Sequence, residues 1–294
     1  MFLTYMGRNM SNTVFSEILS GLYDNQVIPY LGPGVLYDSV SKITQQPMPA
    51  DSESLILAMN GGKPMAPKLM YEFPRAAMNQ ELKRGRSFLT QFLDKTYGQI
   101  QYSRASLHDW LAEWRPNYVI DINRDTQLQD SYADEEHTLI VGVARIAASA
   151  FRFKIFHYDR SNYFEITQEQ VDKTLPILFK PMGTPRPESN YIASDADYVD
   201  YITELMGGFA IPDFLKEYRK GKKYLLLGLP LNRDSERMVM SDIVYGADEH
   251  KGWFLRKNPT DKEKRFSERM GFELIDADCR EFLETVQAAS LAAA

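Results

Sequence analysis

The ten residues Val27-Ile-Pro-Tyr-Leu-Gly-Pro-Gly-Val-Leu36 decide how the rest of the chain is read. A short apolar run ends in Gly32-Pro33-Gly34, and the composition then turns polar. In a doubly wound α/β sheet the first strand commonly ends in such a glycine turn at its carboxyl edge. There the missing Cβ lets backbone N–H groups approach a phosphate. The same tripeptide also makes an ordinary tight turn, so the stretch predicts a strand and a turn and leaves both uses open.

Working outward, Val14, Phe15, Ile18, Leu19 and Leu22 fall at helical spacing and predict a helix over residues 12–24. Residues 37–50 are polar and proline-bearing and read as a loop over the carboxyl edge of the sheet. Residues 51–60 read as a helix closed by Gly61-Gly62. A helical stretch over 67–93 offers Leu69, Met70, Phe73, Leu82, Phe88, Leu89, Phe92 and Leu93 to the core, with Gly85 as a dividing point. A helix over 106–114 precedes a strand over 118–122, which runs into the polar turn Asn123-Arg124-Asp125. Two apolar segments follow at 139–143 and 151–158. A buried-type strand over 175–179 then breaks at Pro181-Met182-Gly183.

Ser194 with Asp197 opens the next helix in the manner of a capping box. The strand over 224–227 ends in Gly228, and a helix over 234–244 follows. A strand at 253–256, a helix opened by Thr260 and Glu263, a strand at 272–275 and a helix capped by Asp278 and Glu281 complete the order. Strands alternating with helices predict a mainly parallel, doubly wound, Rossmann-like α/β sheet covered on both faces. We expect a single domain over residues 1–290, with a helical insertion at about 51–115. Met10 is an alternative start, and residues 291–294 read as a cloning scar.

The 294 residues are 44% hydrophobic and 25% charged, ordinary values for a globular chain with ample material for a core. A net charge of −6 gives no global basic field for nucleic acid or an anionic membrane. The basic runs at 83–86 and 219–223 read as solvated helix ends or turns. Cys279 is the only cysteine, which excludes an internal disulfide framework and a four-cysteine zinc site, and fits a reducing cytoplasm. The histidines His108, His137, His157 and His250 show no short metal-ligand spacing. No apolar run approaches the ~20 residues of a membrane span.

Four stretches, in their order and spacing, resemble the sirtuin-like (silent-information-regulator-like) NAD-binding family, in particular its bacterial branch without structural zinc. Val27 to Leu36 is similar to the family's opening strand and Gly-Ala-Gly turn. Tyr118-Val-Ile-Asp-Ile-Asn-Arg-Asp125 resembles its strand ending in Thr-Thr-Asn-Tyr-Asp, and Leu178-Phe-Lys-Pro-Met-Gly183 its Leu-x-Lys-Leu-His-Gly segment. Leu225-Leu-Leu-Gly-Leu-Pro-Leu-Asn-Arg-Asp234 is similar to its Gly-Tyr-Ser-x-x-Asp stretch. Residues 266–286 also resemble its last helix, strand and helix.

The resemblance implies NAD or a related ADP-ribose-type nucleotide as cofactor, without zinc. It places Gly32 and Gly34 at the pyrophosphate, with Gly183 beside them in the binding set, and Asn123 and Asp125 at the nicotinamide ribose. Gly228 and Asp234 fall toward the adenosine end. From the residues alone, Asn123 and Asp125 serve equally as caps of the next helix.

Several departures fall in this same pocket. Met182 stands where the family has its catalytic histidine, and a thioether neither takes nor gives a proton at a glycosidic bond. Thr-Thr is replaced by Asp121-Ile122 and the family's Tyr by Arg124, while Pro33 removes one backbone donor and the serine is replaced by Leu36 or missing. Asp121 and Arg124 read either as a simple ion pair, or with Arg124 on a ligand phosphate. His157, at a strand end, is a candidate replacement base, although a lone histidine is commonly structural.

The resulting expectation is a nucleotide-binding pseudoenzyme, sensor or partner subunit, with a protein partner or a second copy as company. Two alternatives are an NAD-hydrolysing enzyme using Asn123 and Asp125, and an interaction protein with a closed pocket. Protein deacetylation is disfavoured.

Overall fold

The structure is a computed structural model and describes residues 2–147, 149–247 and 249–293, with side chains from residue 13 to residue 288. The end of the expected scar, Ala294, lies outside the described residues.

The first helix, α1 (Phe2–Tyr23), leads into β1 (Val27–Leu31), which is buried along its whole length. Between β1 and the next strand, β2 (Tyr118–Asp121), lie four helices: α2 (Ser52–Met59), α3 (Phe73–Arg84), α4 (Arg86–Leu93) and α5 (Ser106–Trp114). After β2 come α6 (Gln127–Ser131), β3 (His137–Gly142), β4 (Phe153–Tyr158), β5 (Tyr163–Ile166) and β6 (Ile177–Lys180). A short hairpin, β7 (Gly183–Thr184) and β8 (Asn190–Tyr191), precedes α7 (Asp195–Met206) and α8 (Asp213–Tyr218). The chain closes with β9 (Lys223–Leu227), α9 (Asp234–Ile243), β10 (Gly252–Leu255), α10 (Asp261–Met270), β11 (Phe272–Ile275) and α11 (Cys279–Ala293).

The nine-stranded sheet has the order β11-β10-β9-β1-β2-β6-β3-β4-β5. It is parallel from β11 to β3, and β4 and β5 add an antiparallel edge. This is the doubly wound, mainly parallel α/β architecture that the alternation of elements predicts. From β1 the chain moves to β2 on one side, while β9, on the other side of β1, continues to β10 and β11. The crevice at the carboxyl ends of β1 and β9 is therefore the switch point of the sheet, where open α/β sheets bind ligands.

Alternate residues of the central strands feed two cores. Val27, Leu31, Val119, Leu178, Leu225 and Leu227 pack with α1, α2, α3, α5 and α11 on one face. Ile28, Tyr30, Ile120, Phe179 and Leu226 pack with α7, α9 and α10 on the other. Full burial of each such aliphatic side chain is worth ~1.5–3 kcal/mol, and this is why these strands read as continuous apolar runs.

The helical insertion departs from expectation in detail. Residues 67–72 form turns, and α3 starts only at Phe73, with Pro74 in its first turn. Gly85, at φ +86°, separates α3 from α4 as expected. Leu82 is 75% exposed and is not a core residue, because the buried face of α3 runs Phe73, Ala76, Ala77, Gln80. A π-helical turn, Asp94–Gln99, continues α4 and buries Tyr97. Among the described residues, no helix is long and apolar enough to cross a membrane.

Candidate functional site

The first wall of the switch point is the glycine turn after β1. Its backbone donors are already in use: Gly32 N–H donates to Leu227 O (2.8 Å), Gly34 N–H to Gly228 O (2.9 Å) and Val35 N–H to Gly32 O (3.1 Å), while Pro33 has none. The glycines are required because the two strand ends touch. A Cβ on Gly34 would lie 2.8 Å from Gly228 Cα, and one on Gly228, at φ +68°, 2.6 Å from Val35 N.

The end of β2 is organised around a buried ion pair that the sequence reading does not contain. Lys180 Nζ lies 2.6 Å from Asp121 Oδ2, and both side chains are fully buried. Asp121 Oδ1 accepts from Asn123 N–H (2.9 Å) and Asn123 Nδ2 (2.8 Å). Asn123 Nδ2 also donates to Gly32 O (3.0 Å), so its amide ties the end of β2 to the glycine turn.

The expected Asp121–Arg124 pair does not form. Arg124 turns instead to Ile192 O, which accepts from Nε (3.1 Å) and Nη2 (2.5 Å), and Nη2 reaches Tyr198 OH at 3.4 Å. The signal for the true partner is a lysine ending a buried apolar strand, since a charge there needs a counter-charge.

Asp125 is also buried. Its Oδ1 accepts from Gln127 N–H (2.8 Å) in the turn that leads into α6, while its Oδ2 has no hydrogen-bond partner. Burial pushes its carboxyl pKa above the usual range, against the opposing pull of Lys180. His108, buried nearby with neither ring nitrogen partnered, has its pKa lowered by burial.

Two cavities flank this network, with Tyr97 in the wall of both. The inner one, about 50 Å³, is lined by Pro33, Asn123, Arg124, Met182, Tyr198 and Glu236 among others. Met182 is only 2% exposed there. Burial pushes the Glu236 carboxyl up to about 7, and its Oε2 has no partner. The outer cavity, about 340 Å³, is lined by Lys42, Tyr97, Tyr102, Asp125, Gln127 and Arg186 among others. That volume lies at the lower end of small-molecule sites.

The structure thus brings together Gly32, Gly34, Gly228, Asn123, Arg124 and Met182, with Asp125 one step outward. Gly183, at φ +89°, belongs to the β7–β8 hairpin, where a Cβ would collide with Asn190 O. Asp234 is 78% exposed and paired with Arg237 at the start of α9, and it lines neither cavity. His157 sits on β4, separated from β2 by β3 and β6, and lines neither cavity. Two lining residues that the sequence reading missed, Glu72 and Glu236, come from helix starts whose mutual approach only the tertiary fold sets. Among the described residues, no group of three or more His, Cys, Asp or Glu is placed to hold a metal ion.

No protein-family model matches this chain, and a search of the curated proteins finds no match for it.

Proposed function

We propose that the chain is a sirtuin-like domain that binds a nucleotide of NAD or ADP-ribose type without cleaving it, as a sensor or partner subunit. The observation that carries this reading is the state of Asn123. Its amide is held between Gly32 O and the Asp121–Lys180 pair, beside the buried thioether of Met182. In the resembled family a histidine at the place of Met182 moves the proton at the glycosidic bond, help worth about 10²–10⁴-fold, and at these two positions neither the thioether nor the tied amide supplies it. Binding has a separate support. The 340 Å³ cavity offers Asp125 for hydroxyl or amide donors and Lys42 and Arg186 for phosphate charge.

A second reading, an interaction protein with a closed pocket, draws on the glycine turn, whose N–H groups are already bonded within the chain. Calorimetric titration with ADP-ribose separates the two. Saturable binding weakened by Asp125→Asn supports the nucleotide domain, and no heat at millimolar ligand leaves the interaction protein. Nicotinamide release from NAD, abolished by Asn123→Ala, would overturn both.

A further inference from the structure

The inner cavity has a chemistry of its own, independent of whether the outer one takes a nucleotide. Arg124 is 8% exposed, and its guanidinium carries five N–H donors. Its Nε and Nη2 are bonded to Ile192 O and Tyr198 OH, and its Nη1 donates to no group among the described residues. Two N–H donors of a buried guanidinium therefore stay available at a cavity that Arg124 itself lines. The hydroxyls of Ser52 and Tyr198 place further donors around it. A cavity of about 50 Å³ takes about three to five waters where one needs about 10–15 Å³, close to the bulk of one phosphate group.

We propose that this cavity binds a single phosphate-sized oxyanion, with Arg124 Nη1 as its charged donor. The ligand is either free phosphate or one phosphate of a nucleotide. A bonded glycine turn cannot hold that group, whereas the two free N–H donors on Arg124 Nη1 can bond to it with charge assistance. The acidic side chains at the cavity decide the conditions. Glu72, at the start of α3, takes a hydrogen bond from Ser235 Oγ (3.2 Å) and has Arg75 3.8 Å away. Glu236 is faced by Arg233, Glu72 and Arg237, and by the hydroxyls of Tyr30 and Tyr198. As a neutral acid it donates to an oxyanion, and as a carboxylate it repels one. Binding therefore weakens as pH rises through about 7, where Glu236 ionises.

Calorimetry with inorganic phosphate, with sulfate and with ADP-ribose, at constant ionic strength, tests the site on wild type, Arg124→Gln and Glu236→Gln. The site predicts one phosphate bound per chain, at least tenfold weaker binding in Arg124→Gln, and, in Glu236→Gln, an affinity for sulfate, whose charge does not change between pH 6 and 8, that is independent of pH over that range. Should Arg124→Gln fail to fold, Glu236→Gln decides at pH 8, where tighter phosphate binding than wild type supports the site and equal binding overturns it. ADP-ribose weakened in parallel with phosphate identifies a nucleotide phosphate as the ligand. Phosphate bound without ADP-ribose identifies the free anion. No phosphate binding, with ADP-ribose held equally by wild type and Arg124→Gln, overturns the oxyanion site and leaves the nucleotide domain standing.

Discussion

Replacing Lys180 by methionine keeps an unbranched side chain of nearly the same reach and removes the ammonium group. In the native structure Lys180 Nζ and Asp121 Oδ2 are 2.6 Å apart and neither side chain reaches solvent. Without the ammonium group, Asp121 retains only the two donors of Asn123, at 2.9 and 2.8 Å, for a full negative charge. Breaking one side of a buried pair costs about 3–5 kcal/mol, because the survivor is left uncompensated. Asp121→Asn alone strands the lysine and falls in the same range. The double variant Asp121→Asn/Lys180→Met leaves neither charge of the pair, and the oxygen of the introduced amide can still accept from Asn123, so its cost is no larger than that of either single change. The coupling is therefore at least ~3 kcal/mol. Urea unfolding followed by circular dichroism measures all four proteins. A Lys180→Met cost below about 1 kcal/mol, or additive single costs in the double variant, would refute the view that this cluster is a structural lock.

Three further outcomes follow from the same geometry. Met182→His releases no nicotinamide from NAD, because Asn123 stays tied to Gly32 and Asp121; chromatography of the reaction checks this. Glu236→Gln stabilises the fold at pH 8 and leaves it unchanged at pH 4. The native pKa of about 7 exceeds the ordinary glutamate value of 4.5, so the native state holds the extra proton and stability falls as pH rises between the two values, by up to about 3 kcal/mol, measured as melting temperature against pH. Gly228→Ala lowers stability by more than ~1 kcal/mol, since its φ is +68° and the added Cβ meets Val35 N at 2.6 Å; chemical denaturation is the readout.

The sheet is legible in the sequence because its central strands are buried on both faces and punctuated by glycine or capping residues. Val27–Leu31 and Lys223–Leu227 stand where apolar runs place them, as does the edge strand Phe272–Ile275, in which only Phe272 is fully buried. The antiparallel edge is less so: β5 has two of its four residues exposed, and its apolar pattern carries no strand signal. Leu82 shows the limit of counting apolar residues, as only the phase of α3 reveals that it faces outward.

At the site, Gly32, Gly34 and Gly228 are legible as positions of close backbone approach. What they approach is each other, because β1 and β9 are neighbours in a strand order that no local pattern encodes. Asp121 carries the same lesson. Its sequence neighbour Arg124 lies within reach on paper, yet the partner is Lys180 on the adjacent parallel strand.

Incubation of the purified protein with NAD, with nicotinamide quantified over time, tests most directly whether this pocket binds without cleaving. NAD is expected to stay intact, with nicotinamide no higher than in a protein-free control. Nicotinamide accumulating in proportion to protein, and lost in Asn123→Ala, would contradict a binding site that performs no cleavage.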